Sequence, residues 1–301
     1  MNRADSYFAR LKNTLEDVVA HLTAKGIESH RLAFGGEGEK RKTRVPTDAN
    51  SEFLANRAMG DWAEQVLAKA IDSALLETKA VPYGNSDRMA AGEEGFREFY
   101  LAGVEETRMH GKRPDLLLFD VKVATPSDLS CLKHAEAAEF VGKAVAAIEV
   151  RSSKFEAQTY MKVRERQRAA GKKSARESPS FTVKVEDLVI VCRWLEQNPL
   201  PQSYCQVFFD TAYAINFLDI FRIIASGVGY KIERPKKSQE KATIMIPITS
   251  GTQVGRATAI PTFAAEHRVT ELGRHDAYVV PQGGGFELDA VATRKVLLAG
   301  S

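Results

Sequence analysis

The sequence predicts an α/β protein with a mixed central sheet flanked by helices, a restriction-endonuclease-like core, and a β-rich C-terminal extension. Three observations carry that expectation. Segments with apolar residues at helical spacing alternate with short apolar runs of strand length over residues 1–226. Two of those runs, residues 116–119 and 145–150, are apolar enough for buried strands, and a carboxylate lies beside the first and inside the second. Over residues 227–301 the character changes: Gly and Pro become frequent and β-like runs appear at 243–248, 278–280 and 290–298. This second part is expected to pack on the core as an extension.

Taken in order, residues 1–30 read as a helix, because Phe8, Leu11, Leu15, Val18, Val19 and Leu22 recur at helical spacing. Residues 31–50 are a Gly-, Lys- and Thr-rich loop. Residues 51–77 form the next helix, with Ala58, Trp62, Val66, Leu67, Ala70 and Leu75 on its apolar face. Turn signals at Pro82-Tyr83-Gly84-Asn85 precede a short helix near 93–100. The strand at 116–119 follows, then, within 124–143, a turn at Pro126-Ser127-Asp128 and a helical pattern through Ala138, and then the strand at 145–150. Residues 155–169 read as a helix, 171–179 as a polar loop, 180–184 as β-like and 186–197 as a helix stopped by Pro199 and Pro201. Residues 204–215 read as one buried strand with a continuation, and Asn216 is placed to cap a helix over 217–225.

Composition excludes several classes. The chain has 301 residues, 44% apolar and 27% charged, which is ordinary for a globular protein with a sizeable core. No apolar run approaches membrane-spanning length, and the first residues lack the apolar core of a signal peptide. Cys131, Cys192 and Cys205 are odd in number and widely spaced, so they fit neither a disulfide framework nor a zinc site, and a reducing cytoplasm is the expected setting. The six histidines show no metal-ligand spacing. Net charge is only +3, but it is unevenly spread: nine basic residues lie between Arg151 and Arg176, against Glu156 and Glu165. That patch suits an anionic partner, although a solvated helix face followed by a loop also accounts for it.

The chemistry concentrates between Lys112 and Lys154. A carboxylate in a buried strand is costly unless something pairs with it. If the two strands lie side by side, Asp115 and Glu149 meet, and a divalent cation relieves their repulsion; hard oxygen ligands suit Mg²⁺. Taken singly, Asp115 also reads as the cap of a turn and Glu149 as the partner of a local Lys or Arg. Phosphodiester hydrolysis needs a metal, an activated water and positive charge near the developing oxyanion. Pro114-Asp115 and Glu149-Val150-Arg151 resemble the halves of the PD-(D/E)xK nuclease pattern, with Arg151 where the pattern wants Lys. An arginine stays protonated, so it can stabilise charge but cannot act as a general base. Lys154, past a bend at Ser152-Ser153, and Lys184, if its segment folds back beside the sheet, are the candidate lysines. Glu64 is a further candidate metal ligand, because a first-helix Glu often leans toward the metal in such nucleases; a surface Glu near Lys69 fits its spacing as well.

Over roughly residues 50–225 the chain is similar to the AccI-type family of type II restriction endonucleases. The segments that carry the resemblance are Gly60-Asp61-Trp62-Ala63-Glu64, Arg113-Pro114-Asp115, Glu149-Val150-Arg151-Ser152-Ser153, the run from Ser180 to Leu188, and Gln206-Val207-Phe208-Phe209-Asp210. The resemblance implies Mg²⁺-dependent cleavage of double-stranded DNA at a short palindrome, by a homodimer or by monomers that pair on DNA. Glu149-Val150-Arg151 looks similar to the family's own second motif. For sequence reading, Arg164, Glu165 and Arg166 are the candidates: Arg suits guanine, and Glu suits cytosine N4, as in a G·C-rich, CCGG-like core. Arg168, Lys172 and Lys173 fit backbone phosphates. Two other functions compete: a nuclease that reads DNA structure in repair or recombination, and a non-catalytic DNA-binding protein in which Arg151 marks lost activity.

Overall fold

Strand pairing in the computed structural model, which describes residues 3–40, 42–85, 88–172, 178–234, 241–270 and 272–298, builds the mixed α/β architecture expected from the sequence. The chain opens with α1 (Arg3–Lys12) and α2 (Leu15–Ala24). One helix was expected here; the break falls where the Thr14 hydroxyl donates back to the Leu11 carbonyl at 2.7 Å, drawing the backbone out of register. There follow α3 (Ser51–Ala74), β1 (Thr78–Pro82), α4 (Phe96–His110), β2 (Leu116–Asp120), α5 (His134–Val141), β3 (Ala146–Ser152) and α6 (Ala157–Ala169). Next come β4 (Ser180–Lys184), α7 (Val185–Gln197), β5 (Gln202–Val207), β6 (Thr211–Asn216), α8 (Phe217–Ala225) and β7 (Lys231–Glu233). The chain continues with β8 (Thr243–Pro247), β9 (Thr252–Ala259), β10 (Thr262–Val269), β11 (His275–Gln282), β12 (Gly285–Leu288) and α9 (Ala290–Leu297).

Among the described residues the central sheet has seven strands in the order β1-β2-β3-β5-β6-β9-β12. β3 and β5 run parallel; the other neighbours run antiparallel. β9 and β12, from the C-terminal part, extend the same sheet, while β4, β8 and β7 form a small second sheet and β10 with β11 a ribbon that packs on α3.

Alternation along the strands divides the core. Leu116, Leu118, Ala146, Ile148 and Val150 point to the face covered by α3 and α9. Leu117, Phe119, Ala147, Tyr204 and Ile215 point to the face that holds α2, α7 and α8. A strand buried on both faces reads as a continuous apolar run, which is why β2 and β3 stand out in the sequence.

Caps fix the helices that frame these layers. The Asn50 side chain accepts from the Phe53 N–H at 2.8 Å to start α3, and Asn216 accepts from the Leu218 N–H at 3.0 Å to start α8. α4 begins after Gly95, at φ +77, and runs to His110, well past the short helix expected near 93–100.

Two further expectations are corrected. The run at 204–215 is a hairpin: Phe208 N–H bonds to Thr211 O at 2.8 Å, and β5 turns into β6 across Phe208-Phe209-Asp210. The β-like run at 290–298 is helical. Asp289 caps it through the Ala292 N–H at 2.9 Å, and Thr293, Val296 and Leu297 supply an inward face at helical spacing. Among the described residues no helix is long and apolar enough to cross a membrane.

Candidate active site

The antiparallel register of β2 and β3 pairs Leu116 with Ile148, so Asp115, one step before β2, stands opposite Glu149. The Tyr83 and Gly84 N–H groups donate to the Asp115 carbonyl at 2.9 and 3.1 Å. A Cβ on Gly84 would lie 3.1 Å from Asp115 Cα, so the turn at the end of β1 approaches the acid closely because it carries a glycine. From the neighbouring strand the Val150 N–H donates to Asp115 Oδ2 at 2.7 Å. Glu149 is fully buried.

Glu149 Oε1 takes two cations. The Lys112 ammonium contacts it, and Arg151 Nη2 lies 3.0 Å away. The same guanidinium bonds Asp187 Oδ2, near the start of α7, at 2.6 Å. Among the described residues Glu149 Oε2 has no hydrogen-bond partner. Burial, and then the Glu149 charge, push the Asp115 carboxyl up to about 7, against the opposing pull of Lys112, the Val150 N–H and Arg151. Burial disfavours the charged form of Lys112, but Glu149 and Asp115 outweigh it and hold the ammonium above the ordinary lysine range. Arg151 behaves in the same way: burial is outweighed by Glu149, Tyr204, Asp187 and Asp115, and the guanidinium is held charged.

Lys112, Asp115, Arg151 and Asp187 open onto a cavity of about 550 Å³, which the fully buried Glu149 does not line. Asp115, Arg151, Lys154, Lys184 and Glu64 all line it, with Lys112, Asp187 and Arg57. All of the sequence candidates for metal binding and catalysis except Glu149 thus line one cavity, although they come from α3, β3, the end of β4 and the segment before β2. Glu64 reaches it from α3. Lys154 follows the end of β3, where the Ser153 N–H bonds the Val207 carbonyl at 2.9 Å. Lys184 ends β4, which pairs with β8 and not with the central sheet. The side chains of Lys154 and Lys184 are exposed.

The candidate DNA-reading residues divide. α6 starts where the Asp210 carboxylate accepts from the Ala157 and Gln158 N–H groups at 2.8 and 2.9 Å. Glu165, Arg166, Arg168 and Lys172 are exposed on or just beyond α6. Arg164 turns inward and is buried. Lys173 lies outside the described residues.

Sequence reasoning assigned no role to Lys112 or Asp187, the two residues that bracket the Glu149–Arg151 pair. Lys112 carried a signal, since it stands three residues before Asp115. Asp187 carried little, because a first-turn helix acid is commonplace. A second cavity of about 570 Å³ lies across α3, where Trp62 Nε1 donates to the Gly283 carbonyl at 2.8 Å. It has no paired carboxylates and is a gap between α3 and the β11–β12 turn.

A divalent cation suits the main site. Among the described residues no group of three or more His, Cys, Asp or Glu side chains forms a closed metal cage. Mg²⁺ does not need one, since it is commonly held by one or two carboxylates, with waters and substrate phosphates completing the shell. Two apposed acids, one with a buried bare oxygen and the other resisting ionisation, have the donor chemistry for that role.

Comparison with known proteins agrees in kind with this chemistry. A family model described as AccI restriction endonuclease matches residues 16–173 and 162–300. No curated protein and no solved structure matches the chain.

Proposed function

The chain belongs to the AccI restriction endonuclease family, and from that premise we propose that it is a type II enzyme that makes Mg²⁺-dependent double-strand breaks at a short palindromic DNA site. The observation that carries this reading is the apposition of the buried Glu149 to Asp115, which lines a cavity together with lysine and arginine. When bound, Mg²⁺ polarises the phosphate and makes its water acidic. Asp115 and Glu149 would hold it. Val150 fixes the direction of the Asp115 carboxylate through its N–H. Arg151, kept charged and steered by Asp187, faces the phosphate and offsets the negative charge that builds there. Lys154 and Lys184, exposed at the rim, grip flanking phosphates. Glu64 lines the same cavity from α3.

The exposed pair Glu165 and Arg166 on α6 supports readout of a G·C-rich core, by Glu to cytosine N4 and Arg to guanine O6 and N7. A palindrome presents the same half-site twice, so two copies of the chain act together on DNA. Sequencing the ends of fragments cut in Mg²⁺ tests this reading. A single palindrome centred on every break is the expected result. Ends scattered over unrelated sequences, or grouped at branches and flaps, would contradict it.

A further inference from the structure

We propose that Lys112 is the catalytic lysine of this site, delivered to Glu149 from the opposite strand's approach segment in place of the lysine that position 151 lacks. The proposal rests on the endonuclease reading above and adds a residue to it. Its first support is contact: the Lys112 ammonium sits on Glu149 Oε1 and lines the same cavity as Asp115 and Arg151.

The second support is how firmly its segment is held. Gly111 adopts φ +82, and a Cβ there would run into the Ile190 carbonyl and lie 2.9 Å from Trp194 Cα, so α7 presses directly on this residue. The Lys112 N–H donates to the Ile190 carbonyl at 3.0 Å. Arg113 is buried, bonds Glu106 Oε2 through Nη2 at 3.0 Å and lies over the Tyr83 ring at 5.0 Å. Backbone and neighbours on both sides therefore aim one ammonium at the acids.

The third support is that a purely structural role is already filled. Arg151 lies 3.0 Å from the same Glu149 oxygen and neutralises it, while being tied to Asp187 at 2.6 Å. A second cation crowded onto Oε1 leaves Oε2 bare. The two cations have different shapes. The guanidinium is a fixed fork held between two acids, whereas the ammonium is compact and can turn its donors toward a water and a phosphate oxygen. Lys154 and Lys184 line the cavity from exposed positions, where phosphate contacts suit them better. In the reaction the water oxygen bonds to phosphorus, one P–O ester bond breaks, and the water's proton passes through solvent to the departing oxygen. Lys112 keeps its proton and lowers the cost of the hydroxide and of the charge on phosphate.

The test is single-turnover cleavage of plasmid in Mg²⁺ by the full chain, alongside DNA affinity measured in Ca²⁺ and the melting temperature. For Lys112→Met the expected result is a loss of about 100-fold or more in the cleavage rate, with DNA affinity within about threefold of wild type. Lys112→Arg keeps the charge and the Glu149 ion pair, so it decides the matter if the Met variant folds poorly; it is expected to cut at least about tenfold more slowly. Either folded variant cutting at the wild-type rate while Asp115→Ala is inactive would overturn the lysine assignment and leave the endonuclease reading intact. A wild-type chain that leaves DNA uncut overturns both.

Discussion

The Val150 N–H donates to Asp115 Oδ2 at 2.7 Å, so the strand that carries Glu149 also orients the acid facing it. The two carboxylates are therefore positioned by backbone, one inside β3 and the other bonded to it. The arrangement is fixed without a metal ion, and Asp115 beside the buried Glu149 costs stability that a divalent cation would offset.

That cost has a definite pH dependence. The folded pKa of Asp115, about 7, lies above its ordinary value of 3.8, so the folded chain holds a proton that the unfolded chain releases. The resulting stability is complete below the ordinary value and is lost as pH rises toward 7. Asp115→Asn removes this dependence. Without metal at pH 8, urea unfolding of the variant is expected to give about 1–3 kcal/mol more stability than wild type. Near pH 3.5 that gain should vanish.

Mg²⁺ should act in the opposite sense. It needs ionised acids, so its stabilisation of the wild-type chain should grow from pH 6 to pH 8 and approach about 2.7 kcal/mol at a hundredfold excess over its Kd. Thermal melts with and without Mg²⁺ at the two pH values measure this. A shift of equal size in Asp115→Asn would remove the acid from the metal site.

Gly111→Ala probes the support behind Lys112. The added methyl meets the α7 backbone and the residue is held at positive φ, so a loss of about 2–4 kcal/mol is expected in chemical denaturation. Cleavage at a temperature where the variant is still folded should also fall, because Lys112 moves with its neighbour. Gly103→Ala, inside α4 where a Cβ has open space, is the control: it should raise stability by about 0.5–1 kcal/mol and leave cleavage unchanged.

Lys154 and Lys184 should report on DNA binding. If each contacts one phosphate, Lys154→Ala and Lys184→Ala each lower the slope of log affinity against log salt by about 0.9. Gel shifts in Ca²⁺ over a range of salt concentrations measure the slope. An unchanged slope would place that lysine outside the DNA path.

The acidic pair was legible in the sequence because a carboxylate in an apolar run is rare and costly, and two such acids on pairing strands imply one another. The layered α/β fold was legible for a related reason: β2 and β3 are buried on both faces and leave continuous apolar runs. Lys112 carried only its nearness to Asp115 as a signal, and Asp187 was not legible as a site residue. They meet at Glu149 and Arg151 only through the packing of α7 on the segment before β2, a contact about 75 residues apart in sequence that no local spacing encodes. Arg164 shows the opposite failure. Its charge placed it among the DNA readers, but helical phase turns it inward while Arg166 faces out. The run at 290–298 read as strand because its apolar content was weighed without Asp289, whose cap selects the helix.

The most direct measurement is plasmid cleavage in Mg²⁺ by wild type, Asp115→Asn and Glu149→Gln, each first shown to be folded and to bind DNA in Ca²⁺. The account predicts discrete fragments from wild type and a loss of at least about 1000-fold in rate for either variant, since each removes a metal-holding carboxylate. Discrete fragments at the wild-type rate from either folded variant would contradict it.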